Sequence, residues 1–170
     1  MTKKILLAAI LIFNAVALFG QESTALTQGS WLIEVNTGSI ATGNTAFSLA
    51  SSNGFTQWSV GAEAGYFLQD NLALKVGLGY SDAGFSSIGG TLVYKVGAKY
   101  YINGKVPLGA DLTGITSDGN GANWIGLQGG YAWFVASNIS VEPTVRYNVS
   151  LDGLTADSTF QGLIGFVIHF

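Results

Sequence analysis

In this chain an alternation recurs in blocks of about ten residues and sorts the side chains into two faces of unlike chemistry. The stretch "DNLALKVGLGYS", residues 70 to 81, sets Leu72, Leu74, Val76, Leu78 and Tyr80 on one side and Ala73, Lys75, Gly77 and Gly79 on the other. A period of two is that of a β-strand, whose successive side chains point to opposite faces of a sheet. Eight such segments are read, at 30–38, 57–67, 72–81, 91–101, 105–114, 124–135, 139–149 and 159–170. One face runs through Trp31, Val60, Leu74, Tyr94, Leu108, Leu127, Val145 and Phe166 and carries no charge. The other holds every charged residue of the strands: Glu34, Glu63, Lys75, Lys95, Lys99, Asp111, Glu142 and Arg146. Glycines such as Gly65, Gly77, Gly97, Gly109 and Gly126 lie between them.

The connections alternate in length. Gln69-Asp70-Asn71, Ile102-Asn103-Gly104 and Ala136-Ser137-Asn138 read as three-residue hairpin loops, each ending in a residue that tolerates the left-handed conformation. The other connections are longer and polar; the longest is residues 38 to 56. Short turns and both termini are therefore expected at one end and four loops at the other. With Gly104 as the left-handed residue, Lys95 is expected directly across from Asp111. With Asn71 in that role, Lys75 lies diagonal to Glu63, and Glu34 joins that layer. Arg146 is expected opposite Gln128, nearer the loops. Pro143 lacks an N–H, so a local bulge is expected in its strand.

Two architectures share this pattern. A soluble barrel turns its apolar face inward around a ligand; a membrane barrel turns it outward to lipid and keeps a polar interior. Only 10% of residues are charged, against about 25% or more on an ordinary soluble surface. Eight charges among glycines suit a narrow lumen, which at eight strands just accommodates side chains. Strands of about ten residues match a tilted bilayer crossing. Aromatics on the apolar face gather in two bands, Trp31, Tyr66, Tyr100, Trp133 and Phe170 at the short-turn end and Trp58, Tyr80, Tyr147 and Phe160 at the loop end. Such girdles mark the two membrane interfaces. The fold read is all-β: a closed, antiparallel, up-and-down eight-stranded transmembrane β-barrel. Closure follows because an unpaired strand edge in hydrocarbon leaves backbone groups unsatisfied.

The N-terminus fits that setting. Lys3 and Lys4 precede a largely apolar run from Ile5 to Phe19, and Gln21-Glu22-Ser23 follows. This is the anatomy of a cleavable signal peptide. The division expected is residues 1–20 as signal peptide and 21–170 as the transmembrane barrel domain, which the resemblance given next makes an outer-membrane barrel domain. The second part keeps 5 basic against 10 acidic residues, a net charge of −5, which argues against nucleic acid as a partner. With no cysteine in the sequence, no disulfide holds the fold.

The segments "GYFLQDNLALKVGLGYS" (65–81) and "VGAKYYING" (96–104), with the final "FQGLIGFVIHF", resemble the small eight-stranded outer-membrane barrels of Gram-negative bacteria, the OmpA-like and OmpX-like transmembrane domains. The resemblance covers essentially all of 21–170. It implies periplasmic termini and short turns, extracellular long loops, and contact with outer-membrane lipid and lipopolysaccharide. It further implies that Ile164, Phe166, Ile168 and Phe170 form the C-terminal signal read by the barrel-insertion machinery. A peptidoglycan-binding domain like that of full-length OmpA-type proteins is not expected.

No catalytic, metal-binding or cofactor-binding constellation is read. The one histidine, His169, falls inside by parity at the short-turn rim, in polar surroundings and far from the outer leaflet where lipid-modifying barrels of this kind carry their histidine. The loop "TSDGNGAN" (116–123) lacks the acidic density of a calcium loop. The four acids and four bases of the lumen are expected to pair, either as structure, since an unpaired buried ion is strongly destabilising, or as a gate whose partners exchange. The loops carry Asp82, Asp118, Asp152 and Asp157 with no base, a surface on which an extracellular ligand of unknown kind finds room. The function read is a non-enzymatic outer-membrane barrel with a role in envelope integrity or surface interaction. The alternatives are a small porin-like channel for ions or small solutes gated by lumen salt bridges and, third, a soluble secreted lipid-binding barrel.

Overall fold

Alternating side chains dictate strands, and strands dominate the computed structural model, which describes residues 24–38, 44–52, 55–82, 89–117, 120–153 and 156–170. The expected signal peptide lies outside the described residues. After a single 3-10 turn at Thr24–Leu26 come β1 (Trp31–Asn36), β2 (Ser48–Ser52), β3 (Phe55–Gln69), β4 (Leu72–Asp82) and β5 (Thr91–Ile102). They are followed by β6 (Val106–Ser117), β7 (Asn120–Gly130), β8 (Trp133–Ala136), β9 (Ile139–Ser150) and β10 (Thr159–His169). All neighbours are antiparallel, and β1 pairs with both β10 and β3, which closes the sheet.

Ten strands make eight staves. β8 continues β7 on the same partner, β9, and the register of β7 carries across the break at Tyr131–Ala132. The break faces Pro143: the Tyr131 N–H donates to the Pro143 carbonyl at 3.1 Å, but proline has no N–H to return. The bulge expected in the proline's own strand is absent, since its ladder with β10 runs through Ile164↔Pro143 without a shift. The irregularity falls on the partner strand instead.

β2 was not expected. Residues 38–56 read as one long loop, yet Ser48–Ser52 pairs with the upper part of β3 from Ser48↔Ser59 to Ser52↔Phe55 and runs in the direction of β1. β1 stops after six residues. The first stave is thus built in two pieces. They meet where Ala46 is bridged to Asn36 and the Phe47 N–H donates to the Asn36 carbonyl.

The turns correct two further expectations. Asn103 and Gly104 both have positive φ, 50° and 67°, the requirement of a two-residue primed turn. Pairing resumes only at Ile102↔Val106. The ladder is therefore displaced by two residues, so Asp111 lies across from Gly97 and Lys95 across from Thr113. A shift of two preserves which face each side chain occupies. At the other two turns the pairs Gln69↔Leu72 and Ala136↔Ile139 leave two-residue loops, each with a skipped residue, Leu68 and Val135, just before. Asn71 is left-handed at 67°, whereas Asn138 is not among the residues of positive φ.

The faces are as the alternation requires. The apolar set is exposed all round: Leu78 at 66%, Val76 at 56% and Leu127 at 51%. The eight strand charges point inward. Both aromatic bands are exposed, with Trp31 against Tyr66 at a centroid distance of 5.0 Å and Trp58 against Tyr80 at 5.7 Å. An outer surface of this kind belongs in hydrocarbon, not water.

Candidate functional site

The lumen is where the charges are, and it is layered. At the short-turn end Leu26, Leu32, Phe67, Ala73, Tyr101, Ala132 and Val167 form an apolar cluster, with Phe134 packed against it. The Thr24–Leu26 turn is fastened beneath by the Asn71 N–H, which donates to the Leu26 carbonyl at 2.7 Å, and by the Gln28 N–H, which donates to Asp70 at 2.8 Å. His169 is fully buried here among Phe67, Tyr101 and Phe134. Its surroundings are aromatic rather than polar as expected; Nε2 meets the Ser140 hydroxyl at 3.3 Å, and Nδ1 has no partner.

Above this lies a run of alternating charge. Lys95 reaches Glu63 at 2.7 Å; Lys75 joins Glu63 at 2.6 Å to Glu34 at 2.5 Å; Lys99 joins Glu34 at 2.8 Å to Glu142 at 2.5 Å. Glu142 also accepts from the Tyr101 hydroxyl at 2.9 Å and from Ser140 at 2.8 Å. The remaining two charges form a separate pair. The Arg146 guanidinium grips both oxygens of Asp111, at 2.5 and 2.6 Å, and donates to Gln128 at 3.0 Å and Asn148 at 2.7 Å. Bidentate geometry of this kind is the strong form of a charge-assisted hydrogen bond. Lys95 and Asp111, expected to face each other, belong to different clusters because of the two-residue displacement at the Asn103-Gly104 turn.

The glycines make this arrangement possible. Across the sheet the row Gly65, Lys75, Gly97, Asp111, Gly126, Asn148 alternates small and polar. A Cβ on Gly126 would run into the Arg146 guanidinium, and one on Gly77 would come within 2.9 Å of Glu63. Each long side chain lies across a neighbour that has none.

Toward the loops the lumen closes again. Asn44 and Thr45, at the re-entry of the first stave, are buried in it; the Thr45 hydroxyl donates to Glu63 at 2.5 Å, and the Asn44 amide nitrogen donates to Gln161 at 2.5 Å. Ala46 and Val93 pack with Ile115, and Trp124, only 3% exposed, donates its indole N–H to the Asp157 carbonyl at 3.1 Å. Of these residues Trp124 was within reach of the pattern, since it stands four places before the inward Gln128. Nothing in the local sequence marks Thr45.

Ile164, Phe166, Ile168 and Phe170 lie on the outer face of β10 and beyond its end, all well exposed. The segment 116–123 is not the loop expected: Thr116 and Ser117 belong to β6 and Asn120 to Asn123 to β7, paired as Thr116↔Gly121 and Ser117↔Asn120. Asp118 and Gly119 lie outside the described residues, and Asn123 donates through its backbone N–H and its side chain to Asp152. Among the described residues no group of three or more His, Asp or Glu side chains is placed to hold a metal.

No protein-family model matches the sequence, and no curated protein matches it. Solved structures do match. The N-terminal β-barrel domain of Pseudomonas aeruginosa OprF aligns over 84% of this chain and 98% of its own, at 14% identity and a TM-score of 0.56. The Yersinia pestis outer-membrane protein Ail aligns over 84% of this chain and 100% of its own in a nanodisc structure, at 13% identity and a TM-score of 0.48. Its crystal structure gives 85% and 100%, at 15% identity and a TM-score of 0.45. The chain has the closed, eight-stave antiparallel barrel fold seen in the OprF domain.

Proposed function

We propose that this chain is a non-enzymatic integral protein of the bacterial outer membrane, serving envelope integrity or surface interaction. The observation that carries this reading is the inversion of the barrel, with a continuous apolar outer belt around a lumen filled by paired charges. The short turns and both termini face the periplasm and the longer loops face outward. Residues 1–20 act as the export signal, and the outward side chains Ile164, Phe166, Ile168 and Phe170 serve the insertion machinery. Membrane lipid and lipopolysaccharide surround the belt, and the loops are free to meet an external ligand. Fractionation tests the core of the reading. The protein is expected in the outer-membrane fraction and to migrate faster on a gel unheated than boiled. Recovery as a soluble, non-heat-modifiable protein would refute it. For orientation, an epitope inserted at the exposed Gly153 is expected to be accessible on intact cells, and one inserted beside Lys105 is not.

The pore reading draws support from a single feature. Glu63 is approached by Lys75, Lys95, Thr45 and Asn36, so alternative partners stand ready for exchange. Against it stands the apolar cluster at the short-turn end of the charges, which any ion path would have to cross. Planar-bilayer recording decides: no reproducible single-channel steps are expected from the folded protein.

A further inference from the structure

Among the described residues, Leu26 is the one member of the short-turn apolar cluster that comes from outside the staves. It is carried on an arm, residues 24–28, that precedes β1 and enters no strand pairing among the described residues. The arm meets the wall at Gly29, whose φ of 89° lies in the left-handed region and whose Cβ position has nothing within 4 Å. From there the ladder begins: the Gly29 N–H donates to the Phe67 carbonyl and the Phe67 N–H to the Ser30 carbonyl, each at 2.9 Å. The arm lies across the mouth between two hairpin turns. The Asn71 N–H donates to the Leu26 carbonyl, and a Cβ on Gly104 would stand 3.6 Å from the Leu26 Cδ1. Ala25 and Leu26 are buried, while Thr27 and Gln28 stay exposed. A segment outside the ladders, on a glycine pivot and with so little buried side chain, belongs to the part of a fold that opens first.

What the arm covers gives the opening a consequence. Leu26 packs with Phe67, Tyr101 and Phe134, the same three rings that enclose His169. The imidazole is fully buried, and its Nδ1 is without a partner. Behind it the Ser140 hydroxyl meets Nε2 at 3.3 Å and donates to Glu142, which also takes Tyr101 and Lys99. With the arm seated, Leu26 is withdrawn from water and Nδ1 is left unsatisfied. With the arm away, Leu26 is wetted and water satisfies Nδ1. These two effects oppose one another and are of like size, which is the condition for two populated states.

We infer that residues 24–28 form a cork that swings at Gly29 and gates solvent access to His169 and to the lowest lumen charges, Glu142 and Lys99, while the barrel stays closed. Its socket includes Leu32 of the first stave and Val167 of the last, so the cork seats only after those two staves have met. The inference rests on the geometry of the lumen and is independent of which way the barrel is inserted. The protein, folded in detergent micelles, is treated with diethyl pyrocarbonate, and modification of His169, the one histidine in the sequence, is followed by mass spectrometry. Wild type is expected to label slowly but to completion. Leu26→Asp is expected to label about ten-fold faster, since one buried leucine no longer holds the arm down. Asp70→Asn, which weakens the contact to the Gln28 N–H, should label faster than wild type but slower than Leu26→Asp, and Leu26→Met should match wild type. Heat-modifiable migration is expected in every variant, and rates are compared only where it is kept. Equal rates in wild type, Leu26→Asp and Asp70→Asn would overturn the inference. So would a folded wild type whose His169 never labels, because the arm would then be a fixed seal. Acceleration seen only where heat-modifiable migration is lost would also overturn it.

Discussion

Glu34 and Glu63 stand directly opposite one another on β1 and β3, a like-charge juxtaposition that is destabilising by itself. Lys75 resolves it by bonding to both. Removing that one ammonium leaves two buried carboxylates face to face, so Lys75→Met is expected to destabilise the barrel by about 3–5 kcal/mol. Adding Glu63→Gln should recover part of the loss. Urea unfolding in lipid vesicles, followed by tryptophan fluorescence, checks both. The glycines supply a second contrast at this scale. Gly126→Ala drives a methyl group into the Arg146 guanidinium and is expected to cost about 1–3 kcal/mol. Gly162→Ala, outward with nothing within 4 Å, is expected to be close to neutral. Equal effects at the two positions would mean that lumen crowding is not what those glycines relieve.

Among the staves, the first is the weak one. β1 makes five residue pairs with β10 and four with β3, to which β2 adds five with β3, against ten between β9 and β10 and between β4 and β5. Amide hydrogen exchange in micelles is expected to be fastest in β1 and slowest in β4 to β6; uniform protection would refute this. How far the elements could be read beforehand depended on what each is built from. The staves from β3 to β10 follow from alternation, because a strand between lipid and a crowded polar lumen cannot break its period without placing a charge in hydrocarbon. β2 escaped because Ala46-Phe47-Ser48-Leu49 alternates over too few residues, among too many serines and glycines, to outweigh a loop composition. The Lys95–Asp111 pairing failed for a different reason. Face membership depends on parity, which a two-residue displacement leaves intact, whereas partner choice depends on the particular turn. In the lumen, then, the inward position of each charge was readable and its partner was not always so.

Taken whole, the molecule is a filled cylinder whose ion-paired side chains are each less than one-tenth exposed, with an apolar cluster beneath them at the short-turn end. Buried pairs are screened far less than exposed ones. The unfolding midpoint is therefore expected to change little between roughly 0.05 and 1 M sodium chloride, where surface pairs would be lost to a Debye length falling to about 3 Å. A steep salt dependence would show that water and ions reach the charges. The four acids and four bases of the lumen also cancel, so the closed barrel carries no net charge across the hydrocarbon.

That cancellation limits the order of events during assembly. A flat, unclosed sheet of these staves would press Glu34, Glu63, Lys75, Lys95, Lys99, Asp111, Glu142 and Arg146 against lipid on one of its sides. No intermediate can enter the bilayer stave by stave unless something polar covers that side. Curling and entry must advance together, with the last contact, β1 to β10, made by the stave that offers the fewest bonds to hold a half-open state. The short first stave then acts as a latch of low commitment: easily left open while the charges find partners, and closed only once none of them still faces outward.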